Sequence, residues 1–192
     1  ANYWHRYGGA NMTLWLTLID ETGHTRAEWD LALPDAPGGV TIDSADVCAR
    51  FGIEDFTGQL FIHAIGATGH DIVKYALDTY GDDPRDLSCT HDANAWPADF
   101  YAGLPAPAPG ERVLLWIQNS RPCPIPAGVV GLNLMGDDKT AWLDREIAPF
   151  GTYALDATDL LPDARWPAQI EVHAGKHFVR PRYEIESLSN DA

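Results

Sequence analysis

The sequence predicts an all-β chain of two antiparallel β-sandwich units of the immunoglobulin-like kind, arranged in tandem or related by pseudo-symmetry. Three observations predict this class. Short apolar segments alternate with polar residues, and turn formers are frequent, with 17 glycines and 14 prolines in 192 residues. Matching segments also recur in the same order in the two halves, which indicates an internal duplication.

The clearest match joins residues 59–64 (QLFIHA) to residues 169–174 (QIEVHA). Upstream, 42–47 (IDSADV) matches 155–160 (LDATDL), and Trp29 matches Trp142. Downstream, 74–77 (KYAL) matches 182–185 (RYEI). One such match would be noise, but several in the same order and with similar gaps predict two diverged copies of one strand unit.

The matches also assign secondary structure where one copy is ambiguous. Residues 70–80 fit either a helical stripe or a strand. The matching segment, 178–186, contains Pro181, which a helix interior does not accept, so both copies are predicted strands. The remaining predicted strands lie at 12–19, 27–33, 59–64, 113–117, 128–135, 141–147 and 169–174.

Two pairs of aspartates precede apolar turns at corresponding places, Asp43 with Asp46 and Asp156 with Asp159. Paired carboxylates can act in acid–base catalysis. Here, however, the spacing is that of a helix N-cap and the third residue after it, where a carboxylate accepts from backbone N–H groups. We therefore predict that both pairs are structural caps.

The predicted organisation is one unit at 3–80, a second at 112–188, and a Pro-rich connecting segment at 81–111. A stretch this long with little periodicity is an interdomain linker or a functional loop. Alternatively, both units share one continuous core, and self-association into a homo-oligomer covers their exposed edges.

The net charge of −15 opposes binding to nucleic acid, because Lys and Arg contacts to phosphate dominate that affinity. Anionic membrane surfaces are unfavourable partners for the same reason. No apolar run approaches the roughly 20 residues that span a bilayer. We expect a soluble acidic protein that binds no nucleic acid and does not insert into membranes.

Three cysteines are too few for a disulfide scaffold. Cys89 and Cys123 lie in loop-like surroundings and either pair or remain free thiols. Cys48 lies in an apolar turn and is predicted to be part of the core. Four tryptophans are also predicted in the core because they lie in strands: Trp15, Trp29, Trp116 and Trp142.

Residues 88–97 (SCTHDANAWP) have no counterpart in the first half and combine a thiol, an imidazole, a carboxylate, an amide and an indole. Additions to a scaffold often carry function. We therefore predict a non-enzymatic binding or assembly protein whose ligand is a small molecule, a glycan or a protein partner. Aromatic rings, Phe100 among them, would stack on the ligand. The predicted ligand-binding residues are His91, Asp92, Asn94, Trp96, Tyr101, Gln118, Asn119 and Arg121.

The alternative is an enzyme that depends on a metal or on a Cys–His pair. Cys89 and His91 are too close in sequence to complete a metal site alone, so His63 or His173 would have to join them. Alternation places both of these histidines on the polar face of their strands. An exposed sheet face or a packed, turn-stabilised loop would explain the same residues without any ligand. The residues predict no particular cofactor.

Overall fold

The computed structural model describes residues 2–5, 12–34, 38–66, 73–80, 87–92, 100–173 and 182–188. The chain is mostly β, with antiparallel sheets, as predicted. In chain order the described elements are β1 (Asn2–His5), β2 (Thr13–Asp20), β3 (Thr25–Ala32), β4 (Gly38–Thr41), α1 (Ser44–Phe51), β5 (Gly58–Ile65), β6 (Val73–Tyr80), β7 (Leu87–Asp92), β8 (Phe100–Pro105), β9 (Glu111–Gln118), β10 (Gly131–Leu134), β11 (Ala141–Trp142), β12 (Thr152–Asp156), α2 (Ala157–Leu160), β13 (Gln169–His173) and β14 (Arg182–Ser187).

The chain divides into two compact units, and neither unit is a single continuous stretch of the sequence. The first comprises Ala1–Leu18, Thr25–Phe56 and Leu60–Ala95, and the second comprises Ile19–His24, Thr57–Gln59 and Trp96–Ala192. Two short N-terminal pieces, a hairpin tip and the start of β5, therefore belong to the second unit.

The second unit has a four-stranded sheet, β11-β10-β13-β8, and a three-stranded sheet, β12-β9-β14. One apolar core draws on both sheets: Val113 and Leu115 come from β9, and Leu132 and Ile170 come from β10 and β13. Because alternate residues of a strand point to opposite faces, the residues between these face outward.

The first unit has a four-stranded sheet, β4-β1-β6-β7, and a three-stranded sheet, β3-β2-β5. Its described core is smaller and contains Met12, Leu14, Leu16, Leu33 and Ile42. Leu60 and Ile62 of β5 pack against this core. His63 is exposed and lies on the opposite face of β5, as the alternation predicts.

When β7 and β8 are set aside, the elements of both units come in one order: four strands, a helix, then two strands. Pairing follows the same scheme, since β4-β1-β6 corresponds to β12-β9-β14, and β3-β2-β5 to β11-β10-β13. The hydrogen bonds just beyond the ends of two corresponding strand pairs also match. Leu33 N, after β3, donates to Met12 O, before β2, at 2.8 Å, and Leu143 N, after β11, donates to Val130 O, before β10, at 2.8 Å. The additional strands, β7 beside β6 and β8 beside β13, lie inside the 81–111 segment, where the sequence predicts no strand.

The predicted aspartate caps are confirmed. The Asp43 carboxylate accepts from Ala45 N at 2.8 Å and from Asp46 N at 3.4 Å, and α1 ends at Gly52 with φ 64°. The Asp156 carboxylate accepts from Thr158 N at 2.9 Å at the start of the single turn α2. No helix in the described part of the chain is long and apolar enough to cross a membrane.

The prediction that four tryptophans are core residues is wrong for three of them. Trp116 lies on the outer side of β9, between the core residues Leu115 and Ile117, and its Nε1 donates to Glu184 Oε2. Trp15 lies between the buried residues Leu14 and Leu16 and is 45% exposed, because alternation turns it outward. Trp142 precedes the buried Leu143 and is 47% exposed for the same reason. Trp29, which matches Trp142 in the sequence, packs against the core of the first unit. Trp29 therefore lies on the inner face of its sheet, whereas Trp142 lies on the outer face of its own sheet.

The thiols of Cys48 and Cys123 are free. Cys48 is partly buried and Cys123 is exposed. Of the two alternatives for Cys123, the structure therefore has the free thiol and not the bridge to Cys89.

Candidate functional site

The outer face of the β11-β10-β13 sheet carries a buried polar side chain. Asn133 lies on the central strand β10 and is only 1% exposed. Its neighbour Leu132 faces the core, so Asn133 faces away from it. A buried amide is costly unless its donors and acceptors are paired, and the partners of this one define the candidate site.

Asn133 joins two side chains of the adjacent strand β13. Its Nδ2 donates to Glu171 Oε2 at 2.7 Å, and the main-chain oxygens of Leu134 and Asp137 lie 3.0 and 3.2 Å from the same nitrogen. Its Oδ1 lies 2.5 Å from His173 Nε2. Because Nδ2 faces three acceptors, Oδ1 must face the histidine, and Nε2 therefore carries a proton and donates.

An indole lies beside this network. Gly131 pairs with Trp142 of β11 on one side and with His173 on the other. A Cβ added at Gly131 would lie 2.6 Å from Trp142 Cε3 and 2.7 Å from Thr140 Cγ2, so only glycine lets the indole lie against this strand. The Trp142 and His173 rings are 5.7 Å apart, centroid to centroid, with their planes at 56°.

The backbone pairing continues this row to the fourth strand. Trp142, Gly131, His173 and Phe100 occupy successive register positions across β11, β10, β13 and β8. A half-exposed aromatic ring and oriented hydrogen-bonding groups thus share one face of one sheet. Chemically, this arrangement can stack on a flat ligand surface and hydrogen-bond to its edge.

The ligand-binding residues predicted from the sequence fall into two groups. Asn94 and Trp96 lie outside the described residues. The backbone of His91 and Asp92 lies in β7, and that of Tyr101 in β8, next to β13. The side chains of these three residues are outside the described part, so their role stays a prediction.

The second group lies at the end of β9. Gln118 is partly buried, and Arg121 is exposed. Asn119 is buried: its Nδ2 donates to Cys123 O at 2.8 Å and to Ala148 O at 2.9 Å, and its Oδ1 accepts from Arg121 N at 3.1 Å. The Asn119 amide therefore holds the loop that follows β9.

The described residues contain no group of three or more His, Cys, Asp or Glu side chains that could hold a metal ion. They therefore give the metal alternative no support. His63 belongs to the first unit, and its ring lies 6.4 Å from that of Phe61. His173 belongs to the second unit and donates to Asn133. The backbone of Cys89 and His91 lies in β7, and their side chains are outside the described part of the chain.

Sequence reasoning found part of this site and missed part. Alternation placed His173, and Glu171 with it, on the outer face of β13. Gly131, Asn133 and Trp142 were not predicted as site residues. A glycine inside a strand and an amide between two leucines (residues 131–134, GLNL) are the local signals that could have drawn attention to them.

Comparison with known proteins adds no assignment. No family model matches the chain, and no curated protein or solved structure shows significant similarity to it.

Proposed function

We propose that this chain is a binding protein that takes a neutral saccharide on the outer face of the β11-β10-β13 sheet. The observation that carries the proposal is an exposed indole beside the hydrogen-bonded Asn133–Glu171–His173 network, whose central amide is buried and whose two other side chains are partly buried. The ring supplies a flat apolar surface for the C–H face of a sugar. The network orients polar side chains beside it for the hydroxyl groups.

Preorganisation supports this proposal. The indole of Trp142 has little room to move toward Gly131, because the ring already lies where a side chain would be. Asn133 holds both Glu171 and His173. Groups fixed before the ligand arrives lose little conformational entropy on binding.

Charge supports a neutral ligand over an anionic one. The cluster contains the carboxylate of Glu171, and the chain carries a net charge of −15. An anion would be repelled by both. A sugar without a carboxylate or sulfate avoids this repulsion and can hydrogen-bond to the acceptor oxygens.

A purely structural role would explain some of the same features. An aromatic ring can cover a glycine within a sheet, and a buried amide can fix a hairpin. The ring of Trp142, however, remains 47% exposed while it covers Gly131. Replacing Trp142 distinguishes the two roles, because the loss of a purely structural ring would change the stability of the chain and not its binding of a sugar.

The test is a titration of the whole chain with neutral β-glucan, xylan and chitin oligosaccharides, followed by tryptophan fluorescence and calorimetry. Trp142→Ala should weaken the binding of the recognised sugar by about tenfold or more, because a stacked ring contributes roughly 1–2 kcal/mol. Trp166→Ala is the matched control, since Trp166 is 57% exposed outside the cluster. Absence of binding by all these sugars, or an equal loss in both variants, would refute the proposal.

The segment that leads into β8 remains part of this proposal. Phe100 occupies the register position beside His173, and Tyr101 follows it on the same strand. Phe100 and Trp96 would then extend the aromatic surface. Tyr101 pairs with Val172, a core residue, so the register does not add it to this face. The enzymatic alternative stays a hypothesis about Cys89 and His91, and no described contact favours it.

We also propose that the two units arose by internal duplication and that each is an immunoglobulin-like sandwich. The shared element order and pairing support the duplication. In the second unit, seven strands divide four and three, and the β9–β12 and β10–β13 neighbours match the B–E and C–F pairs of that fold. The first and last strands, β8 and β14, lie in the opposite sheets from their immunoglobulin counterparts.

A further inference from the structure

The outer face of the β3-β2-β5 sheet in the first unit carries aromatic rings. Trp15 of β2 is 45% exposed, because its two neighbours on the strand are core residues and alternation turns it outward. On the adjacent strand β5, Ile62 packs against the same core, so Phe61 and His63 also face outward. Phe61 is partly buried and His63 is exposed. Three rings therefore lie on one face of one sheet.

Two of these rings are nearly parallel, and acidic side chains lie on the same face. The Phe61 and His63 ring centroids are 6.4 Å apart, with an angle of 23° between the planes. The edge strand β3 turns Glu28 and Asp30 to this face, since Trp29 between them packs against the core. Both acidic residues are exposed. The face thus combines flat rings with hydrogen-bond acceptors.

The same face of the second unit carries the proposed saccharide site. In the matched segments of β5 and β13, His63 has the position of His173, and Phe61 has that of Glu171. An imidazole is therefore present at the same place in both units. Beside it, a carboxylate of the second unit is replaced by a ring in the first.

The central strand shows a similar exchange. The matching hydrogen bonds beyond the ends of β2 and β10 give Trp15 the position of Asn133. The first unit thus has its indole on the central strand of the sheet, whereas Trp142 of the second unit lies on the edge strand β11. A hydrogen-bonding network in one unit corresponds to an aromatic surface in the other.

We propose that the outer face of the β3-β2-β5 sheet is a second saccharide site, which binds a neutral β-linked chain mainly by stacking. Sugars whose hydroxyl groups are equatorial have flat C–H faces, and such a face fits flat rings. Glu28 and Asp30 would accept from hydroxyl groups at the edge and would repel an anionic sugar. The choice of a saccharide rests on the proposed function, whereas the position of the site rests on the rings of the first unit.

The area of the aromatic surface favours a small ligand over a second copy of this chain. A fully exposed aromatic side chain offers roughly 150–250 Å². Trp15 is 45% exposed, so the three rings together offer about 200–300 Å². A stable protein–protein interface buries about 800 Å² on each partner. A few sugar rings would cover this surface, whereas a dimer would need much more of the molecule.

The test counts the binding sites on the whole chain by calorimetry, with β-1,4-glucan, xylan and chitin tetrasaccharides as probes. We expect two sites for the recognised sugar. Trp15→Leu should weaken the first-unit site by about tenfold or more, because leucine keeps apolar area but not a flat ring. Trp15→Phe keeps a ring and should weaken it by no more than about threefold. Circular dichroism checks the fold of each variant.

The variants also distinguish this site from the one at Trp142. A single site that Trp142→Ala removes and Trp15→Leu leaves unchanged would overturn this proposal and leave the proposed function intact. A single site that only Trp15→Leu removes would support this proposal and refute the site at Trp142. Absence of binding by all three probes would overturn both.

Two further results would overturn the proposal. Equal losses in Trp15→Leu and Trp15→Phe would show that stacking on a flat ring is not the interaction that binds the sugar. A dimer in sedimentation that Trp15→Leu abolishes would make a second copy the occupant of this face.

Discussion

A single amide holds together the outer face of the second unit. Asn133 both donates and accepts, so it bridges an acceptor, Glu171, and a donor, His173, that are two residues apart on β13. A carboxylate in its place could only accept, and an aliphatic side chain could do neither. The role therefore depends on the amide and not on the size of the side chain.

Asn133→Asp should destabilise the chain in a pH-dependent way. The new carboxylate would lie where Nδ2 now lies 2.7 Å from Glu171 Oε2. Two carboxylates so close cannot both ionise, so a pKa of the pair rises above its unfolded value. The loss should be about 3 kcal/mol at pH 7, should shrink as pH falls through the raised pKa of the pair, and should be mostly gone near the unfolded carboxyl pKa of about 4.

Urea unfolding at pH 7.5 and at pH 4 measures this difference. Adding Glu171→Gln to the Asn133→Asp variant restores a donor opposite the new carboxylate and should recover most of the stability at pH 7.5. A loss of equal size at both pH values would contradict the explanation.

At the scale of elements, the two helices show how a local signal determines structure. The Asp43 carboxylate accepts from two N–H groups of the first turn of α1, and Gly52 ends the helix in the left-handed region. Eight residues are too few for a stable isolated helix, so its caps and its packing against the sheet hold it.

Asp43→Ala should lower the free energy of unfolding by about 1 kcal/mol, because two N–H groups of α1 lose their acceptor. Asp43→Asn keeps an acceptor oxygen and should change it by only a few tenths of a kcal/mol. Thermal unfolding of both variants beside the native chain gives the comparison. Equal effects of the two substitutions would show that charge, and not capping, is the dominant contribution.

Local patterns predicted the all-β class, the caps and the outward faces of His63 and His173, because each depends on neighbours in sequence. They did not predict β7 and β8, whose residues lack clear alternation and whose hydrogen bonds come from distant strands. The 141–147 strand was predicted too long: the structure has β11 and an isolated bridge between Ile125 and Ile147.

The site was less predictable than the fold for the same reason. Asn133 and His173 are 40 residues apart, and the register that joins β10 to β13 brings them together. Alternation can state that His173 faces outward, but periodicity cannot state which residue of another strand it will meet. Trp142 was assigned to the core only because it lies in a predicted strand, and that does not say which face of β11 is buried.

At the scale of the whole molecule, the second unit includes two pieces from early in the chain. Gln59 Nε2 donates to Asn119 O at 3.0 Å and also to Phe150 O. Glu21 O accepts from Thr152 N at 3.1 Å. The second unit is therefore completed by residues that precede its main segment by tens of positions.

Gly23→Ala should disturb the second unit specifically. Gly23 has φ 91°, and an added Cβ would lie 2.0 Å from Pro149 O, a main-chain atom that cannot move alone. We expect a loss of about 2–4 kcal/mol. Hydrogen exchange should show it as faster exchange at the β9 and β12 amides.

Gly52→Ala is the matched control, since Gly52 has φ 64° and nothing within 4 Å of the added carbon. It should cost only about 1 kcal/mol of backbone strain. Equal losses in the two variants would mean that the contact with Pro149 contributes nothing.

The interleaved boundary has a consequence for the order of synthesis. Ile19–His24 and Thr57–Gln59 leave the ribosome before any of Trp96–Ala192, and they are anchored by strands that start or end in the first unit. Domains generally fold from the N-terminus during translation. The second unit therefore completes its fold only after Trp96–Ala192 has been made, although two of its pieces are among the first residues synthesised.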